Sequence, residues 1–188
     1  LLPHRRIPTR PAPTARHRRQ DSLVIIHMSV SLDFEIYNEI TPADLIRLAL
    51  AYWKITYPEH VLPEQKICQY GMVLASTRVE IEDLDCWLAA LEECPIGREV
   101  RLESSGIDSK ISLSAIIGRS YDDTPYGQLF LYLLDNLSGD ALIDYNGERP
   151  LLLRKNGIIL LEQDSDYFAR EPFRSLLPSA VTIGKIPW

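Results

Sequence analysis

Histidine, paired cysteines, phosphate-cradling glycine loops and long apolar runs are scarce or missing here, and each shortage removes a class of function. From Met28 onward the chain has one histidine, His60, in a proline-flanked loop. Metal sites built from two or three imidazoles are therefore excluded, and a Ser-His-Asp or Cys-His arrangement has only His60 to draw on. No serine sits in a GxSxG turn, and neither GxGxxG nor GxxxxGK[ST] occurs, which argues against nucleotide binding by those loops. The three cysteines, Cys68, Cys86 and Cys94, show no CxxC spacing and cannot all pair. An odd set of apolar-flanked thiols points to a reducing compartment, hence a cytoplasmic protein with buried-thiol packing. No apolar run reaches the roughly 20 residues a helical membrane span needs. No cofactor and no metal are expected.

What is present is charge, unevenly placed. Up to His27 the chain carries Arg5, Arg6, Arg10, Arg16, Arg18 and Arg19 against Asp21 alone. That leaves 14 basic and 25 acidic residues from Met28 onward, a net charge of −11 compared with −6 for the whole chain. Residues 1–27 read as a disordered basic arm, because Pro3, Pro8, Pro11 and Pro13 among the arginines oppose a packed element. Met28 reads as a natural start, which would make the arm an upstream extension; a basic anchor or targeting peptide is the alternative. Residues 28–188 read as a single acidic domain. Such a body repels nucleic acid and anionic membrane and attracts basic protein surfaces.

The expected fold is α+β: a mostly antiparallel sheet, a meander of about six to eight strands, with two main helices packed on one face. Val30, Leu32, Phe34 and Ile36 alternate with polar residues and predict a strand. Thr41-Pro42-Ala43-Asp44 opens a helix running to about Lys54. Arg78 to Ile81 alternates as a strand, and the chain between 66 and 77 is ambiguous. Leu84, Trp87, Leu88, Leu91 and Cys94 predict a second helix opened by Glu82 or Asp83 and ended by Pro95 and Gly97. Val100 and Leu102, then Ile111 to Ile117, then Leu129 to Leu134 predict strands, the last central because it is apolar on both faces. Asn146-Gly147 and Asn156-Gly157 mark two tight turns, so Ala141–Tyr145, Leu151–Arg154 and Ile158–Glu162 predict a three-strand meander. The tail from Asp164 is expected to fold back over the sheet with a short helix.

Candidate contact residues follow from the acids and their neighbouring aromatics. Glu80, Glu82, Asp83 and Asp85 cluster at the predicted strand-to-helix junction, where acids also serve simply to cap a first turn. Asp122 and Asp123 share a loop with Tyr121 and Tyr126. Asp164-x-Asp166 lacks the glycine and distal glutamate of a calcium loop. An acidic rim around aromatic anchors suits a basic protein partner and fast, salt-sensitive association. No catalytic residue is assigned.

Three stretches carry a family likeness: Arg78-Val79-Glu80-Ile81-Glu82-Asp83-Leu84-Asp85-Cys86-Trp87-Leu88-Ala89-Ala90-Leu91, then Gly97-Arg98-Glu99-Val100-Arg101-Leu102-Glu103-Ser104, then Lys110-Ile111-Ser112-Leu113. Together they resemble small bacterial α+β immunity proteins of polymorphic, contact-dependent toxin systems and related uncharacterised families. The resemblance implies cytoplasmic neutralisation of a cognate toxin, commonly a basic nuclease, by plugging its active site. It carries over no catalytic residue, and interface residues in such proteins vary too much to transfer. The functional expectation is a non-enzymatic, immunity-type inhibitor of a basic toxin. A small carboxylate-dependent hydrolase and a structural or assembly subunit are the alternatives.

Overall fold

Alternation of apolar and polar residues from Val30 to Ile36 gives β1, with Leu32, Phe34 and Ile36 fully buried on one side. In the computed structural model, which describes residues 30–55, 65–69, 72–117 and 122–188, this strand is the middle of a nine-stranded sheet. The other strands are β2 (Gln65–Gln69), β3 (Met72–Ile81), β4 (Cys86–Glu92), β5 (Ile111–Ile117), β6 (Ala141–Tyr145), β7 (Arg149–Lys155), β8 (Ile158–Glu162) and β9 (Val181–Gly184). Their spatial order is β2-β3-β4-β5-β1-β6-β7-β8-β9, antiparallel throughout except for the final β8–β9 pair. The fold class is α+β with a mostly antiparallel sheet, as the sequence implies.

Two main helices cover one face. In α1 (Pro42–Tyr52), Thr41 Oγ1 accepts the Asp44 N–H at 3.2 Å and Pro42 occupies the first turn. Its buried stripe is Leu45, Ile46, Ala49 and Leu50. In α3 (Thr124–Asn136), Tyr126, Leu129, Phe130, Leu133 and Leu134 are buried, the spacing of a helical stripe. Both stripes join the alternating residues of β1, β4, β5 and β6 in one apolar core, with Phe34 and Phe130 rings 5.7 Å apart. Arg154 of β7 closes the end of α3, donating to the carbonyls of Leu134, Leu137 and Gly139.

Three sequence expectations are corrected. The helix expected over Glu82 to Cys94 is instead β4, entered through a 3-10 turn at Glu82–Leu84. Its apolar residues fit both periods, since Leu84, Trp87, Leu88 and Leu91 lie at helical spacing while Cys86, Leu88 and Ala90 alternate. Pairing with β3 on one side and β5 on the other settles the matter, overriding the helix propensity of Leu and Ala. The strand expected at Val100–Leu102 is α2 (Pro95–Ser105). Pro95 opens this helix rather than ending its predecessor, and Gly106, at φ +72° with its N–H on the Leu102 carbonyl, ends it. The strand expected at Leu129–Leu134 is the middle of α3; a helix buried against a sheet below and a helix beside it is apolar over most of its circumference. Two main helices do pack on one face of the sheet, but the second is α3 and not the segment expected to supply it.

The three-strand meander is β6, β7 and β8, with Asn146 and Asn156 at positive φ and glycines following, as a primed hairpin turn demands. The tail does carry a short 3-10 helix, Arg174–Leu176. It then adds β9 as a ninth, parallel strand.

Candidate functional site

The turn between β3 and β4 gathers three of the candidate acids. Asp85 takes the left-handed conformation at φ 47° and donates its N–H to the Glu82 carbonyl, which closes the hairpin and turns Glu82, Asp83 and Asp85 outward. Aspartate tolerates this backbone region better than most residues, and it is what stops the 3-10 turn from growing into a helix.

The second acidic segment opens α3. Asp122 Oδ1 accepts the Thr124 N–H at 3.1 Å, and Asp123 stands at the cap position ahead of Thr124 and Pro125. Acids here complement the helix dipole. One hydrogen bond brings the two segments together: the Tyr126 hydroxyl donates to the Leu84 carbonyl at 2.6 Å. Leu84 is the last residue of the 3-10 turn and Tyr126 lies in the first turn of α3. Glu82, Asp83, Asp85, Asp122 and Asp123 therefore share one end of the molecule, where Ile81, Cys86 and Ile117 end their strands.

Tyr126 is not a contact residue. It is 1 % exposed, its ring lies edge-on to Trp53 at 5.9 Å, and burial first, then Cys86, Asp85 and Asp122, drives its phenol well above the ordinary range. It is the strut that holds the acidic end together. Cys86, behind it, is a buried free thiol pushed up to about 11 by desolvation, which makes it unreactive packing. Tyr121 lies outside the described residues, as does His60.

Asp123 is set deeper than its neighbours. Burial raises its carboxyl pKa, opposed by the nearby Arg170 and the Tyr167 hydroxyl, and that hydroxyl donates to the Asp123 carbonyl at 3.2 Å. Tyr167 in turn stacks on Phe173 at 5.0 Å and meets Phe168 edge-on. This aromatic trio from the tail presses against Gly127, where a Cβ would lie 2.6 Å from the Phe173 ring. The tail thereby fixes the start of α3.

Glu80 lies on the side of the sheet facing away from α1 and α3. Its cross-strand neighbour is Trp87, which the sequence places in a helix core and which is instead 40 % exposed. The misread period hid this residue: with period 3.6 Trp87 faces inward, with period 2 outward.

A polar cleft of about 300 Å³ lies elsewhere, between the start of α1 and the ends of β3, β4 and β5, and includes Glu39, Glu92, Glu93, Arg98 and Lys110. All of these charges but Glu93 are committed internally. Lys110 pairs with Glu39, Arg98 grips both oxygens of Asp108 at 2.7 Å, and Glu92 Oε2 accepts the Ala75 N–H. Among the described residues, no three His, Cys, Asp or Glu side chains converge on a point that could hold a metal ion. No described helix is long and apolar enough to cross a membrane.

Fold and site together define an α+β protein built on one mixed sheet, with carboxylates gathered at the end where β3 turns into β4 and α3 begins. Comparison with known proteins adds no relative: no family model, no curated protein and no solved structure matches the chain.

Proposed function

We propose that this is a non-enzymatic binding protein that captures a basic protein through its acidic end, in the manner of an immunity-type inhibitor seated on a cationic toxin such as a nuclease. The observation that carries this reading is the Tyr126–Leu84 hydrogen bond, which joins two acidic segments far apart in sequence into one surface. Carboxylates held at fixed spacing mimic the phosphates a nuclease groove attracts, and raise the rate of encounter with a cationic partner. Glu82, Asp83 and Asp122 are exposed and take part in none of the described salt bridges, so their field reaches solvent.

The test is capture of a panel of cationic nucleases, with a cationic protein of no nuclease activity as control. Wild-type chain is expected to bind at least one nuclease with an affinity that falls steeply with salt. Reversing Glu82, Asp83 and Asp122 to lysine should weaken it on the order of a hundredfold at low salt. A panel left unbound by wild-type protein at low salt overturns the reading. The assembly-subunit alternative is favoured by one feature, the β8–β9 edge with Ile158 and Ile183 exposed, and predicts dimers or larger species on sedimentation.

A further inference from the structure

The side of the sheet opposite α1 and α3 is not covered evenly. Towards β9 it is closed by a second apolar cluster of Ile107, Leu142, Leu153 and Ile186. Next to the β3–β4 turn no described element covers it, and strand register sets out what it presents there. One row runs Glu80, Trp87, Ile116 and Ser31 across β3, β4, β5 and β1. The next runs Arg78, Ala89, Ser114 and Asp33. Trp87 is the largest side chain in these two rows, flanked by half-buried Ile116 and standing over Ala89, which is too small to fill the space beside it. The carboxylates of the β3–β4 turn rim the same hairpin.

We infer that this open face is the partner's seat, with Trp87 as its anchor, and that the segment it takes presents arginine: the guanidinium lies flat on the indole while its edge pairs with Glu80. The inference rests on the binding reading above and deepens it by naming the partner's contacting chemistry. Charge complementarity selects the occupant. Among the described residues, exposed Glu80 and part-buried Asp33 share these two rows with one cation, Arg78, and the turn beyond adds Glu82, Asp83 and Asp85. Arg78 also sets the direction, since it repels an incoming cation from the lower row and leaves the Trp87–Glu80 corner, next to the turn, as the favourable place. A guanidinium suits that corner better than an ammonium because it is planar, stacks on aromatic faces and forks onto a carboxylate. Tryptophan and arginine are also the residues most enriched where binding energy concentrates.

The test uses the full chain and two defined probes, acetyl-tetra-arginine amide and acetyl-tetra-lysine amide. Affinity is read by titration calorimetry, and the place of binding by the Trp87 indole N–H resonance, assigned by its loss in Trp87→Thr. Tetra-arginine should shift that resonance and bind several-fold more tightly than tetra-lysine, whose charge is equal. Trp87→Thr, a replacement suited to a strand, should lower tetra-arginine affinity about tenfold and leave tetra-lysine affinity unchanged. Glu80→Gln, which leaves the indole in place, should weaken tetra-arginine more than tetra-lysine. Equal affinities for the two probes, or a Trp87 resonance that does not move, overturn the inference. If reversal of Glu82, Asp83 and Asp122 abolishes nuclease capture while Trp87→Thr leaves it intact, the inference fails and the binding reading survives. If wild-type chain binds no nuclease, the binding reading fails, whatever the peptides do.

Discussion

Asp123, at the cap position of α3, keeps its charge in a place where burial opposes it. Its carboxyl is half-buried under the tail aromatics, and desolvation raises its pKa more than Arg170 and Tyr167 lower it. A carboxylate whose folded pKa lies above its unfolded value is a penalty wherever it is ionised in both states. That penalty is fully present at pH 7, fades as pH falls through the raised folded value, and is gone below the ordinary one. Asp123→Asn is therefore expected to be more stable than wild type at pH 7, with the advantage shrinking on acidification towards pH 4. Urea midpoints of the two proteins at several pH values check this; an advantage that grows on acidification would contradict it.

At the scale of elements, the first and last described stretches of the chain were legible and much of the stretch between them was not. β1 and α1 announce themselves by clean alternation and by a Thr-Pro start, signals that involve only neighbours along the chain. The same holds for the Asn-Gly turns of β6, β7 and β8. Between Glu82 and Asn136 those local signals mislead at β4, α2 and α3, while β5 forms where the alternation from Ile111 to Ile117 predicts it. β4 is made of Leu, Ala, Cys and Trp, and only its pairing with β3 and β5, distant in sequence, makes it a strand. α2 has Pro95 at its start, which reads equally as the end of something before it. α3 is apolar almost all round because it is covered on two sides, which erases the period that would distinguish it from a central strand. The candidate acids were legible as clusters, and their meeting was not, because it depends on Tyr126 reaching across to Leu84.

This difference has a measurable consequence in β4. Leu88 is fully buried, while its neighbour Trp87 faces solvent. Leu88→Ala should cost about 2–5 kcal/mol of stability, as for other large-to-small changes in a core. Trp87→Thr should cost less than about 1 kcal/mol, as surface changes generally do. Denaturant titration of the pair tests the strand directly, since an amphipathic helix with Trp87 inward would make both changes expensive.

At the scale of the whole molecule, the β9 edge of the sheet is visibly protected. β9 is four residues long, parallel to β8, and bounded by Pro178 before it and Lys185 and Pro187 after it. Short strands, lysine and proline are the usual means of blunting an edge. Glu162 assists from β8, its carboxylate accepting the buried Ile186 N–H at 2.7 Å. Removing residues 181–188 would bare the edge of β8 beside buried Ile159 and Leu161 and leave Glu162 Oε2 without the Ile186 donor. Such a truncation is expected to self-associate at concentrations where the full chain does not, as sedimentation velocity would show.

β1 joins the two halves of the sheet, because β5 and β6 flank it on either side and do not touch each other. It is also the first described strand to leave the ribosome, and both its neighbours are synthesised long afterwards. The opening strand must wait, unpaired along both edges, while most of the protein is made. Assembly of this architecture is governed by late closure of distant partners, a slow route on which nascent chains need shelter from one another.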